Sequence, residues 1–511
     1  MWPKKLSEIA QILGVPSPSS YATASSDSQP VVHSLCTDSR KLTRGELFVA
    51  IKGDTHDGHK FVENSLKQGA VAALVEKSWL DGHPALSELC IAVADTTQAL
   101  RTLGKAFRSE FSFPLIAVGG SNGKTTTKEM LASLLSGTSN KITRTHKSEN
   151  GFLGLAVTLT QTAHNKSQPP KALVAEIGID DVGAMSEHVA IATPDFALLT
   201  ALGPEHLAGL GTWDKAVEEE LLLFRNSPKD CRRIWQLCEP RLAEVADEVR
   251  IGDAVVIDVL SKIQLPAQLQ QLVAEKKIAT LQFELIEQKA TFSTVRAVWL
   301  SAITNGQSDQ WEAAFKVPLP GIHNAQNFAL ALATAAHTGC QKNELEQAWM
   351  TFTPPEMRSR IVNLNKGITL YDDCYNASPA SMDAAFDALL SDEWKGRHKV
   401  VILGDMLDLG GESKSWHLKL VEKLLKIENS DLCLFGSAMY DVYNEIKTNY
   451  SRELQTGNIR LQHAGADVDP ARFVDELDGK IAGAVVLVKG SRGMDLGRFV
   501  KSCEAWSAAQ G

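Results

Sequence analysis

The chain has 511 residues, too many for one hydrophobic core, and at roughly 100 to 200 residues per domain it divides into about three. Apolar residues make up 44% and charged residues 22%, and the formal net charge is -9, which argues against a nucleic-acid polymer as the main partner but not against a local basic pocket for small anions. Eight scattered cysteines without CxxC spacing, and no apolar run of about 18 residues, point to free thiols, a cytoplasmic setting and no integral membrane segment.

In chain order, Leu6 to Val15 reads as an amphipathic helix and "PSPSSYATASSDSQP" as a surface excursion. "VVHSLCTDSRKLTRGELFVAIKG" alternates strand-like runs with turns. A helix from about Gly58 to Gly69, the strand "AVAALVE" and the helix "TTQALRTLGKAFRSEF" complete a small α/β module, residues 1–108. From Leu115 the short apolar runs "LIAVGG", "KALVAEIG" and "DFALLTALG" alternate with helices, the pattern of a parallel sheet covered on both faces. Lys229 to Val317 is harder to parse and carries an antiparallel excursion around "TLQFELIEQKATFSTVRAVWL". "LPGIHNAQNFALALATAAHTG" starts a long helix that closes this central domain, residues 109–352. The strands "GITLYDD", "KVVILGD", "SDLCLFG" and "GAVVLVKG" then predict a Rossmann-like α/β domain over residues 353–511.

"VGGSNGKTTTKEM" ends as a phosphate-binding loop does, in Gly123-Lys124-Thr125, yet the spacing G-x-x-x-x-G-K-[ST] puts Val118 where a glycine belongs. The physical requirements are still met. Gly120, Ser121, Asn122 and Gly123 leave backbone N–H groups unobstructed, a helix starts there, and Lys124 supplies a cation, with Thr125 and Thr126 behind it. "VAEIGID" ends an apolar strand on Glu176, where open α/β sheets meet their ligands; a helix-capping role is the alternative. His206, in "LTALGPEHLAGLG", follows another such strand, where a lone histidine is more often structural.

This compact loop with its companions resembles that of the Mur ligase family of ATP-dependent amide ligases, and the resemblance runs over almost the whole chain, implying a central P-loop ATPase-like domain. It implies ATP and Mg²⁺, with Lys124 on the β- and γ-phosphates and Thr125, Glu176 and His206 around the metal. In "GTWDKAVEEELLLF", Glu220 stands where the family has a carbamylated lysine, implying a glutamate that binds metal directly, without a carbamate. A solvated helix face is the alternative for Glu218-Glu219-Glu220. "GIHNAQN" resembles the family's G-[RK]-H-N-x-x-N motif, with Ile322 in the basic place; it assigns Asn324 and Asn327, beside His323, to the nucleotide. The resemblance also implies Arg358, in preference to Arg360, as a nucleotide contact, and Asp373 at the ribose or the domain junction. Ser39 and Arg40 would meet a uridine diphosphate. Asp180-Asp181 departs from the family's Asn and basic residue.

The stretches "KEM", "DDCYNASPASM", "LGDMLDLGGES" and "LVKGSRGM" are similar to the branch that adds D-alanyl-D-alanine to UDP-N-acetylmuramoyl-tripeptide in peptidoglycan precursor synthesis. That branch implies an acyl-phosphate intermediate, these two small molecules as partners, a monomer, no protein nucleophile (so Cys374 is a bystander) and domain closure about a hinge near Thr351 to Pro355. A sister ligase, a folylpolyglutamate-type ligase and a nucleotide-dependent binding protein without ligation stay open at this point.

Overall fold

Three sheets of four or more strands, each with its own buried cores, organise the computed structural model of the chain. It describes residues 2–18, 30–53, 56–137, 142–145, 151–162, 169–204, 206–261, 264–303, 306–455, 458–465, 468–477 and 480–509. Most of the Ser/Pro-rich stretch lies outside the described residues. No helix among the described residues is long and apolar enough to cross a membrane.

The N-terminal sheet is parallel, with Ser34–Cys36, Glu46–Val49, Ala72–Glu76 and Cys90–Val93 in chain order. Helix Thr96–Arg108 starts at Asp95, whose carboxylate accepts from the backbone of Thr97 and Gln98 at 2.7 and 3.0 Å, satisfying two otherwise unpaired N–H groups. Its apolar face shares a core with helix Phe152–Thr162 of the next module, and Trp2 Nε1 donates to Thr160 O at 2.7 Å across the same junction. The first module is therefore docked on the second by packing as well as by the chain.

The central sheet has nine strands. From one edge they run Gln310–Val317, Ser293–Leu300, Ala279–Gln288, Ala254–Asp258, Arg232–Gln236, Phe196–Leu199, Leu115–Gly119, Leu173–Glu176 and Thr143–Arg144. The first three are antiparallel and the rest parallel. Burial alternates residue by residue along Gln310–Val317, as in a strand with one wet face, whereas Leu115–Gly119 is buried throughout. Helix Ile322–His337, almost wholly buried from Asn324 to Ala336, covers one face. The antiparallel excursion expected around residues 279–300 is present. Two parallel strands of the hard-to-parse region, Arg232–Gln236 and Ala254–Asp258, were not legible in the sequence.

Chain order places the site. After Leu115–Gly119 the chain visits the strands on one side of it and then crosses to Phe196–Leu199 on the other. Ligands of open α/β sheets bind at such a reversal, beyond the carboxyl ends of the strands.

The C-terminal sheet has the order Arg360–Asn363, Thr369–Asp373, Val485–Lys489, Lys399–Gly404, Ser430–Phe435, Ile459–Ala464, parallel except for its first strand. The carboxyl ends of its middle strands face the central sheet's crevice.

Candidate active site

Val118 is a strand residue. It is fully buried and pairs with Glu176 in the parallel register, so the loop begins after it. Gly120 has φ +110°, and a Cβ there would stand 2.8 Å from Thr200 N; at Gly123, φ +91°, a Cβ would lie 2.6 Å from Asn327 Oδ1. Both positions exclude a side chain on conformation and on space. Ser121 N and Asn122 N donate to Ala201 O at 2.9 and 3.2 Å, and Gly120 N donates to Glu220 Oε2 at 2.8 Å. Lys124 opens helix Lys124–Ser136 and folds back, its Nζ donating to Gly120 O at 2.6 Å and Ser121 O at 3.0 Å.

The neighbouring strand ends deliver the rest. Glu176, 1% exposed, accepts from Thr125 Oγ1 at 2.8 and 2.9 Å. Lys128, completely buried, places Nζ 3.2 Å from Glu176 Oε2 and donates to Thr145 O at 3.1 Å. Lys128 was missed in the sequence, although it lies one turn after Lys124 on the same helix face, a spacing that sends both lysines toward one place. His206, held in the left-handed region at φ 53°, lines the same cleft, with Nδ1 3.6 Å from Asp180 Oδ1.

The three glutamates of helix Trp213–Arg225 divide. Glu218 faces solvent against Arg225. Glu219 is buried, accepting from Gly183 N and Met185 N at 2.9 and 3.0 Å, and Glu220 is buried against the loop. A solvated face therefore describes only the first of them. Glu220 meets the loop from behind, and it is not among the residues that line the cleft.

The C-terminal domain forms the opposite wall. Arg358 Nη2 donates to Thr125 Oγ1 at 2.9 Å while its guanidinium stacks over Tyr375 at 4.0 Å. Ser378 Oγ donates to Asn122 Oδ1 at 2.8 Å. Lys489 Nζ lies 2.5 Å from Asp373 Oδ2, and Ser359 N donates to Asp373 Oδ1 at 2.8 Å. Asn324 donates to Pro320 O at 2.7 Å, while Asn327 stands against Gly123. Burial lowers the His323 pKa to about 4, so this ring is neutral.

Together these groups enclose a cavity of about 350 Å³. It gathers Ser121 to Thr126, Glu176, His206, Asn324, Asn327, Arg358 and Asp373. Ser39 and Arg40 lie apart from it; Arg40 is folded onto Asp38 through two 2.9 Å bonds that hold the Asp38 carboxyl at about 2. Arg360 points away, 3.5 Å from Glu504. Cys374 donates to Asp372 Oδ1 at 3.2 Å, and burial raises its thiol pKa, the reverse of what a nucleophile needs.

The donors fit a magnesium ion. The Thr125 hydroxyl and Glu176 carboxylate are hard oxygens, already in contact. Among the described residues no three of His, Cys, Asp and Glu converge as a metal cage.

Residues 31–108 match the Mur ligase family catalytic domain, residues 118–335 the Mur ligase middle domain, and residues 357–492 the Mur ligase, glutamate ligase domain. The chain is 28% identical over 475 residues, 93% of each protein, to a UDP-N-acetylmuramoyl-tripeptide--D-alanyl-D-alanine ligase of Bacillus subtilis (strain 168). It is 30% identical over 405 residues, 78% of each, to the ligase of that name in Buchnera aphidicola subsp. Baizongia pistaciae. Its fold is similar to that of MurF from Acinetobacter baumannii, with TM-score 0.72 and 22% identity over 99% of both chains. It is also similar to MurF ligase from Thermotoga maritima in complex with ADP, with TM-score 0.66 and 22% identity over 94% of this chain and 99% of that one.

Proposed function

This chain belongs to the Mur ligase family, and from that premise we propose that it joins D-alanyl-D-alanine to UDP-N-acetylmuramoyl-tripeptide at the expense of ATP. The observation that carries the reading is the convergence of Lys124, Glu176 and His206, from the ends of three adjacent strands, on one cleft walled by Arg358 and Ser378 of the C-terminal domain.

Forming an amide from a carboxylate in water is uphill, so the carboxylate needs a leaving group. In the proposed reaction the terminal carboxylate oxygen of the tripeptide attacks the γ-phosphorus, ADP departs, and an acyl phosphate forms. The dipeptide amine then adds to the acyl carbon, loses a proton, and expels phosphate. Lys124 and the N–H groups opening its helix hold the phosphates, and their charge is placed where negative charge develops. Arg358 orders the Thr125 hydroxyl from across the cleft, and Asn327 packs under Gly123. Thr125 and Glu176 would hold Mg²⁺, with His206 beside them, and the ion would supply further charge neutralisation. Burying these groups between two domains keeps water from the acyl phosphate.

The protein is taken to act as a monomer. Its eight cysteines are free thiols, which suits a reducing cytoplasm. Residues 1–108, 109–352 and 353–511 are taken as the units holding the uridine nucleotide, ATP and dipeptide. Ser39 and Arg40 are assigned to the first of these. Release of phosphate that requires ATP, the UDP-tripeptide and D-alanyl-D-alanine together tests the reading; release indifferent to the dipeptide would overturn it.

A further inference from the structure

Four of the cations at the cleft are engaged. Lys489 is paired with Asp373, Lys128 with Glu176, Arg358 is bound to Thr125, and Lys124 to its own loop. Two exposed charges of opposite sign lining the same cavity are not: Arg492 and Asp408. Among the described residues, neither side chain has an oppositely charged partner, and they are not paired with each other. Arg492 donates only to a neutral group, the Tyr375 hydroxyl, at 3.2 Å. Tyr375 thus carries one guanidinium directed to Thr125 and a second with no contact to the phosphate loop.

The two charges sit on strapped loops. Strands Lys399–Gly404 and Val485–Lys489 are parallel neighbours, so the loops after them leave the same edge of the sheet side by side. Ser491 N donates to Asp405 O at 3.1 Å and Leu407 N to Ser491 Oγ at 2.8 Å, which fixes one loop against the other. Asp408 O accepts from Leu207 N at 3.1 Å, anchoring the acidic end next to His206 on the central domain. A fixed cation and a fixed anion, left uncompensated at a cleft, complement a ligand that carries both charges on one short chain.

We propose that Arg492 and Asp408 form a two-point clamp for the zwitterionic acceptor peptide, with the Arg492 guanidinium taking its terminal carboxylate and Asp408 its ammonium group. This rests on the ligase reading above and names the residues that select the acceptor. Arginine suits the task because its planar fork matches a carboxylate's two oxygens. The anchoring of Asp408 beside Leu207 points the amine toward the side of the cleft where the acyl phosphate would form.

The test is initial-rate phosphate release with ATP, UDP-tripeptide and either D-alanyl-D-alanine or its C-terminal amide, for the unaltered protein, Arg492→Gln, Arg492→Lys and Asp408→Asn. The unaltered protein is expected to show a KM for the amide about 10- to 100-fold above that for the free acid, the value of a charge-assisted hydrogen-bond pair. Arg492→Gln should lose that discrimination with KM for ATP unchanged, and Arg492→Lys should keep part of it. Asp408→Asn should raise KM for acid and amide alike. An Arg492→Gln protein that still discriminates as the unaltered one does, or that gains KM for ATP instead, would overturn the clamp, as would an Asp408→Asn protein with unchanged KM for both acceptors. Absence of acceptor-dependent release from the unaltered protein would instead sink the ligase reading beneath it.

Discussion

Glu220 Oε2 accepts the backbone N–H of Gly120 at 2.8 Å, although 100 residues separate them. The bond ties helix Trp213–Arg225 to the turn that the phosphates would meet, and both groups are buried. Glu220→Ala would leave a buried N–H unpaired, at a cost of about 1–3 kcal/mol, and would slacken the loop. We expect a lower melting temperature and a higher KM for ATP, with Glu220→Gln milder because its amide oxygen still accepts. Glu220→Lys offers no acceptor unless the amine is carbamylated, so its residual activity should rise with added bicarbonate. Activity indifferent to bicarbonate would count against a carboxylate requirement at this position.

Lys124 opens the loop helix with its ammonium over Gly120 O and Ser121 O. No other described cation contacts those carbonyls, so Lys124→Ala should lower turnover by at least about a thousandfold, the scale of a lost phosphate-stabilising cation. Calorimetric binding of the UDP-substrate should stay within about twofold, since the first module does not share this loop. A large loss of UDP-substrate affinity would mean that the loop serves both ligands.

Gly120 is where the missing glycine of the sequence motif is made good. A methyl group there meets the Thr200 backbone, which cannot move without breaking the bond from Thr200 N to Gly119 O at 3.0 Å. Gly120→Ala is expected to cost on the order of 3 kcal/mol and to abolish nucleotide binding. Chemical denaturation of the variant beside Gly14→Ala checks this: Gly14 also has positive φ, but a Cβ there meets nothing within 4 Å. Equal losses would mean that backbone conformation alone decides.

The position of the loop, Glu176 and His206 at one crevice was legible because each follows its own apolar strand, whereas their roles came from the family resemblance, since a lone histidine in that place reads as structural. Contacts made by domain packing left no such trace. Ser378 reaches Asn122 across 256 residues and Arg358 reaches Thr125 across 233. Strand Arg232–Gln236 was hidden by its charges: Arg233 is buried in the sheet, paired with Asp253 at 2.7 Å, and interrupts the apolar run that marks a covered strand. Glu219 and Glu220 were ambiguous for the opposite reason, since three consecutive acids look solvated until the partners of each are known.

His188, 1% exposed, has its pKa pushed down to about 4, first by burial and then by Arg101. The unfolded chain takes up this proton near pH 6.5 and the folded chain does not until about pH 4. The stabilisation is therefore complete above the unfolded value and is lost as pH falls through that window, by on the order of 3 kcal/mol for this one group. Denaturant midpoints at about pH 7 and about pH 5 should differ more for the unaltered protein than for His188→Leu. A variant with the same acid slope would assign the loss to other groups.

Among the described residues four hydrogen bonds join the two domains, Arg358 to Thr125, Ser378 to Asn122, Leu207 N to Asp408 O and Ala290 N to Glu393 Oε2, while the chain passes between the domains near Thr351 to Pro355 without helix or strand. Such bonds, lying partly in water, are each worth about 1 kcal/mol, too little to lock two domains together. The C-terminal domain should therefore swing about that segment and be drawn in by ligands that bridge both walls. Small-angle scattering should show a smaller radius of gyration with a non-hydrolysable ATP analogue and UDP-substrate than without them. Arg358→Ala combined with Ser378→Ala should enlarge the ligand-free radius and weaken the contraction. A radius that stays the same in every ligand state would rule out closure, and the walls would then have to be preassembled by packing that these hydrogen bonds only decorate.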